Sequence, residues 1–96
     1  MLESKFQAGL KKDILKRFPD AIIMKNDPEG KRGIPDLTIL HGRHWATLEC
    51  KQSSNAKHRP NQDYYVEKMN DMSFSRFVSP DNKEEVLNDL EELFKT

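Results

Sequence analysis

The chain has 96 residues, 35% hydrophobic and 33% charged, with 16 basic and 16 acidic side chains and no net charge. One domain, residues 1–96, fits that length and a second does not; such a chain buries roughly 60–65% of its unfolded surface, so its core is modest and pairing of two copies would help it. No apolar run is long enough to span a bilayer, no secretory signal opens the chain, and a single cysteine, Cys50, forms no internal disulfide, so a cytoplasmic protein with no membrane partner is expected.

Residues 3–18 read as an amphipathic helix. Phe6, Leu10, Ile14 and Phe18 recur every fourth residue, Leu15 is expected to widen the stripe, and Pro19 stops the helix. Lys16 and Arg17 suit its C-terminal end. Glu3 points the same way as the stripe. It either meets water at the helix N-terminus, where an acid is favourable, or enters a polar site beside the core. Residues 21–25 are a short apolar run that reads as a strand. Residues 26–33 are rich in turn formers and read as loop. Lys31 and Arg32 in that loop are either solvated or placed to meet phosphates. Gly33 permits a backbone shape or a close approach that a side chain would block.

Residues 33–51 carry the chemistry. Two apolar-rich runs flank His41-Gly42-Arg43-His44, which is a hairpin signal. With Gly42 and Arg43 at the centre of a type II′ turn, Asp36 falls opposite Glu49. Strand alternation then puts Ile34, Asp36, Thr38, Trp45, Thr47, Glu49 and Lys51 on one face. Pro35, Leu37, Ile39, Ala46, Leu48 and Cys50 share the other, which is uncharged and is expected to be buried, with Cys50 as a core thiol. Lys51 is expected outside the core, contributing little to folding. Two carboxylates directly across a strand pair repel each other. A divalent cation held between them removes the repulsion, and carboxylate oxygens suit Mg²⁺, Mn²⁺ or Ca²⁺; scattered charges on a solvated face are the plainer alternative.

Residues 52–57 read as a polar loop, followed by Lys57-His58-Arg59 and by Pro60 at an expected helix start. Gln62, Tyr65, Val66 and Met69 have helical spacing, and Tyr64 and Tyr65 are expected to pack. Residues 74–78 read as a strand. Ser79 and Pro80 are expected to open the last helix as its N-cap and first residue, with Val86, Leu87, Leu90, Leu93 and Phe94 as its packed stripe and an acidic outer face. The order is helix, three strands, helix, strand, helix: an α/β fold around a mixed four-stranded sheet flanked by helices. Its strand–helix–strand unit should be a right-handed crossover if the two strands are parallel.

Pro35-Asp36 followed by Glu49-Cys50-Lys51 resembles the PD-(D/E)xK nuclease signature. The wider set, Glu3 on a helix, Gly33-Ile34-Pro35-Asp36-Leu37, Glu49-Cys50-Lys51 and Gln62 on a helix, resembles the virus-type replication-repair nuclease branch, the VRR-NUC domain. The resemblance covers most of the chain. It implies a restriction-endonuclease-like core and a nuclease that hydrolyses DNA with Mg²⁺ or Mn²⁺. Asp36 and Glu49 would be the first metal ligands, the Cys50 carbonyl a third, and Glu3 a ligand directly or through water. Asp36, Glu49, Lys51 and Gln62 would be the catalytic set. Lys51 would orient or deprotonate the attacking water or stabilise phosphate charge, and Gln62 would bond the water or Lys51. Small stand-alone relatives look like homodimeric resolvases of branched, four-way (Holliday) junctions, which implies a role in DNA repair or recombination in a bacterial or phage-infected cell.

Charge distribution agrees with a DNA face in the first part of the chain. Residues 1–59 hold 12 basic and 7 acidic side chains, and residues 60–96 hold 4 and 9. The expected phosphate contacts are Arg32, Lys57 and Arg59, with Lys31 secondary. The competing readings are a nuclease for flaps, nicks or plain duplex, a nucleic-acid-binding module that has lost hydrolysis, and a structural domain. The His41/His44 pair lacks further zinc ligands nearby, and no phosphate-loop or dinucleotide-binding glycine pattern is present.

Overall fold

The computed structural model describes residues 2–96. Its elements are α1 (Glu3–Arg17), β1 (Ile22–Lys25), β2 (Leu37–His41), β3 (His44–Cys50), α2 (Gln62–Met72), β4 (Ser75–Val78) and α3 (Lys83–Phe94), in the expected order. The strands form one sheet ordered β1-β2-β3-β4. β1–β2 and β2–β3 are antiparallel and β3–β4 is parallel, so the sheet is mixed, as expected.

The hairpin has the predicted register, Leu37 facing Leu48 and His41 facing His44. Gly42 takes a left-handed φ of 59° and Arg43 does not, as a II′ turn requires. The uncharged face becomes the core. Leu37, Ile39, Ala46, Leu48 and Cys50 are fully buried, packed with Phe6, Leu10 and Ile14 of α1 and Val86, Leu87 and Leu90 of α3. Each such aliphatic side chain stabilises the fold by about 1.5–3 kcal/mol on burial. Lys83–Asp13 (2.6 Å) and Arg17–Glu84 (3.2 Å) tie α1 to α3; partly exposed, they contribute little beside the core. Helix α2 lies on the opposite face, where the Thr47 hydroxyl meets Met69.

Several local expectations fail. Leu15 does not widen the stripe of α1: it is 43% exposed, and Gln7 is buried instead. Leu15 is about 140° round the helix from Leu10, whereas Gln7 is about 60° from it. Pro60 does not start α2. Asn61 stands between them in the left-handed region (φ 75°), and the helix begins at Gln62. Ser79 does not cap α3. Its hydroxyl accepts the Asp81 N–H (3.2 Å) and its own N–H donates to Asn82 Oδ1 (2.8 Å), which closes a separate turn over residues 79–82. Such local side-chain bonds favour a turn over a helix start. Tyr64 packs edge-on against the Tyr65 ring (5.0 Å) but stays outside the core, 56% exposed.

Gly33 explains the left-handed Asn61. Gly33 has φ 88°, and a Cβ there would lie 2.6 Å from Asn61 Cβ and 2.8 Å from its carbonyl carbon. The loop before β2 is thereby docked against the start of α2. Gly42 needs the same backbone region but has open space around it. Gly33→Ala is therefore expected to cost clearly more than Gly42→Ala, which should stay near the roughly 1 kcal/mol of left-handed strain alone. Urea denaturation of the two variants checks the order; equal losses would show that the Gly33–Asn61 contact does not hold the loop.

Candidate metal and active site

The site forms where the hairpin's charged face meets the N-terminus of α1. Asp36 ends the loop before β2. Asn26, just beyond β1, donates its backbone N–H to the Asp36 carbonyl (2.8 Å) and its side-chain amide to the Pro35 carbonyl (2.9 Å), while the Thr38 hydroxyl donates to Asn26 Oδ1 (3.1 Å). Asp36 Oδ2 accepts the Cys50 N–H across the hairpin (2.9 Å). Glu49 sits one residue earlier in β3 and is 3% exposed. Glu3 approaches from the first turn of α1. Carboxylate oxygens of Glu3, Asp36 and Glu49 all lie within 4.8 Å of one another.

Nothing among the described residues fully neutralises this cluster. Glu49 Oε2 accepts an N–H from Gln62 (2.8 Å), but Glu49 Oε1 is buried without a hydrogen-bond partner among the described residues. Burial first, and the Asp36 charge second, push the Glu49 carboxyl up to about 7. Burial also raises Asp36, against the opposing pull of the Cys50 N–H and, behind it, of Lys51, Lys25 and Arg59. An unpartnered buried oxygen among three carboxylates is compatible with a hard divalent cation, and an all-oxygen donor set would suit Mg²⁺ or Mn²⁺. The Cys50 thiol takes no part. It belongs to the apolar core, where burial pushes it up to about 12; only the Cys50 backbone lies beside the acids.

Lys51 departs from expectation. It shares the charged face, but that face is covered, and Lys51 is 8% exposed. Its ammonium donates to Gln62 Oε1 (2.8 Å) and to the Lys57 carbonyl (3.2 Å) and stands 3.9 Å from Glu49 Oε2. Gln62 is the hub. Its amide N–H reaches Glu49, and its oxygen takes both Lys51 and the Arg59 backbone N–H (2.7 Å). A buried ammonium in three such contacts belongs to the folded structure, so its removal should destabilise.

The structure brings Asp36, Glu49, Lys51, Gln62 and Glu3 together. Lys31, Arg32, Lys57 and Arg59 are exposed. Their two loops meet where Gly33 abuts Asn61, and the Lys31 ammonium lies 5.9 Å from the Tyr65 ring centre. Lys25 and Asn26 went unremarked in the sequence. Lys25 pairs with Leu37 in the sheet, so the next residue, Asn26, falls beside Asp36, a placement that only the β1–β2 register reveals. His41 stacks on Phe94 (4.6 Å) and His44 bonds the Thr96 carbonyl (3.1 Å); neither joins the acids.

Two solved structures share this fold. One, named "VRR_NUC domain", superposes with a TM-score of 0.72 over 90% of this chain and 94% of its own, at 21% identity. Another, named "VRR_NUC domain protein", gives 0.66 over 99% and 89%, at 17% identity. The architecture is thus the one implied by the motif resemblance. No family model matches the sequence, and no curated protein does.

The electrostatics predict an inverted pH dependence. A carboxyl near 7 in the fold and near 4.5 when unfolded binds more protons folded than unfolded between those values. Stability from this group is therefore full below about 4.5 and lost as the pH rises through about 7, a loss of up to about 3 kcal/mol. Asp36 acts in the same direction. In EDTA the melting temperature should fall over this range, Glu49→Gln should flatten the fall, and Mg²⁺ should oppose it. Wild-type melting that ignores both pH and millimolar Mg²⁺ or Mn²⁺ would remove the metal site.

Proposed function

We propose that this chain is a metal-dependent endodeoxyribonuclease that acts on branched DNA, four-way junctions foremost, as a homodimer. The observation that carries the reading is the orphaned, buried Glu49 oxygen inside the Glu3–Asp36–Glu49 cluster, with the Lys51 ammonium 3.9 Å from the same carboxylate. The shared VRR_NUC fold supports it. Exposed apolar side chains support pairing: Ile22 is 59% exposed and faces the exposed Leu40 across β1–β2. No helix among the described residues is long and apolar enough to cross a membrane.

Asp36 and Glu49 would hold Mg²⁺ or Mn²⁺, with Glu3 and the Cys50 carbonyl completing the protein's share. A metal so bound polarises a phosphate oxygen and lowers the pKa of a coordinated water. The chain's own residues do the rest. The Cys50 N–H keeps Asp36 turned toward Glu49. Gln62 fixes the outer oxygen of Glu49 and presents its own oxygen to Lys51. An ammonium has three protons, and Gln62 and the Lys57 carbonyl take two. The third, which makes only the 3.9 Å ion pair with Glu49, would serve a phosphate oxygen or the attacking water. Arg32, Lys57 and Arg59, with Lys31 behind them, would hold flanking phosphates.

The test is one purified preparation on a four-way junction, a flap and linear duplex, each with Mg²⁺ or EDTA. Metal-dependent cutting of the junction is expected; equal rates on linear duplex would remove the branched-substrate assignment. Asp36→Asn and Glu49→Gln should abolish cutting while keeping the fold. Lys51→Ala, assayed well below its lowered melting temperature, should keep junction binding and lose about 10²–10⁴-fold in turnover. Full turnover with weak binding would make Lys51 a phosphate contact only.

A second expectation concerns salt. Each phosphate contact removed from the basic loops should reduce the slope of log affinity against log salt by roughly one, about equally for all sequences. A Lys57→Ala/Arg59→Ala double variant with an unchanged slope would put the DNA face elsewhere.

A further inference from the structure

Beyond the acid cluster, on the far side of Lys51, lies a cavity of about 230 Å³ that the proposed chemistry does not use. Lys51 directly follows β3 and Ser79 directly follows β4, so the cavity opens at the carboxyl ends of the two parallel strands. Crevices at that end of parallel strands are where α/β sheets take ligands. We infer that this cavity seats a backbone phosphate of the substrate strand next to the linkage held at the acid cluster. The inference rests on the nuclease reading and names a subsite for its substrate.

The lining chooses the ligand. Lys51, Ser53, Ser79, Asn82 and His58 line it beside Phe77, and none of the described residues lining it carries a carboxylate. Hydroxyl, amide and imidazole donors in a lining without a carboxylate suit phosphate oxygens better than a metal ion. Three carboxylates stand close by, each against a lining residue, with Glu49 lying 3.9 Å from the Lys51 ammonium. Asp63 holds His58 Nδ1 (2.7 Å), and Asp81 accepts the Ser54 N–H (2.7 Å).

The cavity is also pre-formed. The His58 ring lies flat on Phe77, 3.8 Å away and 12° from parallel. The loop over residues 52–59 is pinned at Ser54 by Asp81 and at the Lys57 carbonyl by Lys51. Its volume is below that of sites for whole small molecules, about 300–1,000 Å³, so it takes one group of a larger ligand. Lys51 is shared by both compartments, 3.9 Å from Glu49 on one side and lining the cavity on the other. One strand spanning two neighbouring linkages would occupy both.

The test separates this subsite from the nuclease reading, because it is done in EDTA and reads binding. Inorganic phosphate titrated into ¹⁵N-labelled wild-type protein should shift the Ser53, Ser54 and Ser79 amides, and Ser53→Asp, which places a carboxylate in the wall, should abolish those shifts. Methylphosphonates scanned one linkage at a time through a bound junction strand should reveal one position whose neutralisation weakens wild-type binding roughly tenfold and leaves Ser53→Asp unchanged. Pocket shifts from a protein that cuts no DNA would support the subsite and overturn only the nuclease. No shift at millimolar phosphate would overturn the subsite, whatever the cleavage assay gives. An abasic nucleotide that weakens binding while no methylphosphonate does would overturn it too, assigning the cavity to a base.

Discussion

Glu49 is a strand residue that the sheet cannot release. Its neighbours Leu48 and Cys50 are locked into the core, so alternation holds its side chain on the opposite face, across from Asp36. At a separation of roughly 4–5 Å and the effective dielectric of a protein site, two charged carboxylates repel by about 3–4 kcal/mol. Whole-domain stability is about 5–15 kcal/mol, so the fold carries a sizeable local strain. The chain responds with the Cys50 N–H on Asp36, the Gln62 amide on Glu49 and the Lys51 ammonium beyond. These offset the repulsion without cancelling it, because one Glu49 oxygen keeps no partner among the described residues. The apolar half of the hairpin thus builds the acid half, and the hydrophobic core supplies the energy that keeps the acids together.

Gln62 extends that constraint to the rest of the site. An amide has a donor end and an acceptor end, and the surroundings fix which is which: a carboxylate on one side, an ammonium and a backbone N–H on the other. The side chain cannot turn over without setting like against like. Helix α2 therefore enters in a single orientation, and Asn61 absorbs the strain of that entry in a left-handed turn wedged against Gly33. One glycine in the motif loop so decides where a glutamine twenty-nine residues later sits relative to the acids.

What could be read from the sequence follows the range of each signal. The hairpin was legible because its turn, its alternation and its length agree on one register, and that register places Asp36 opposite Glu49 before any fold is known. The core stripes of α1 and α3 were legible for the same reason, except Leu15, where composition suggested a wider stripe than helical geometry allows. Both helix starts were misplaced because Pro60 and Ser79 suit turns as well as caps, and the winning bonds involve Gly33 in one case and Asn82 in the other. The burial of Lys51 was out of reach. It depends on the loop over residues 52–59 folding back so that the Lys57 carbonyl meets it, and nothing local encodes that return. Lys25 and Asn26 were missed because β1 shows no chemistry until it is paired with β2.

The same return settles how the basic residues relate to the acids. In the sequence, Lys31-Arg32 and Lys57-His58-Arg59 are separate clusters either side of the hairpin. In the fold, the first docks through Gly33 on Asn61, and the second runs directly into Asn61 and Gln62. The two loops meet beside Gln62, and Lys25 and Arg59 both oppose the burial that raises Asp36. Cations near a cluster of carboxylates answer a problem of the proposed reaction. A phosphate backbone repelled by three acids needs positive charge close by but outside the metal shell. Net charge near zero is no argument against that role, because the acidic excess is carried largely by α3, with Glu84, Glu85, Glu91 and Glu92, and α3 packs on the core face of the sheet. Glu49 stands on the other.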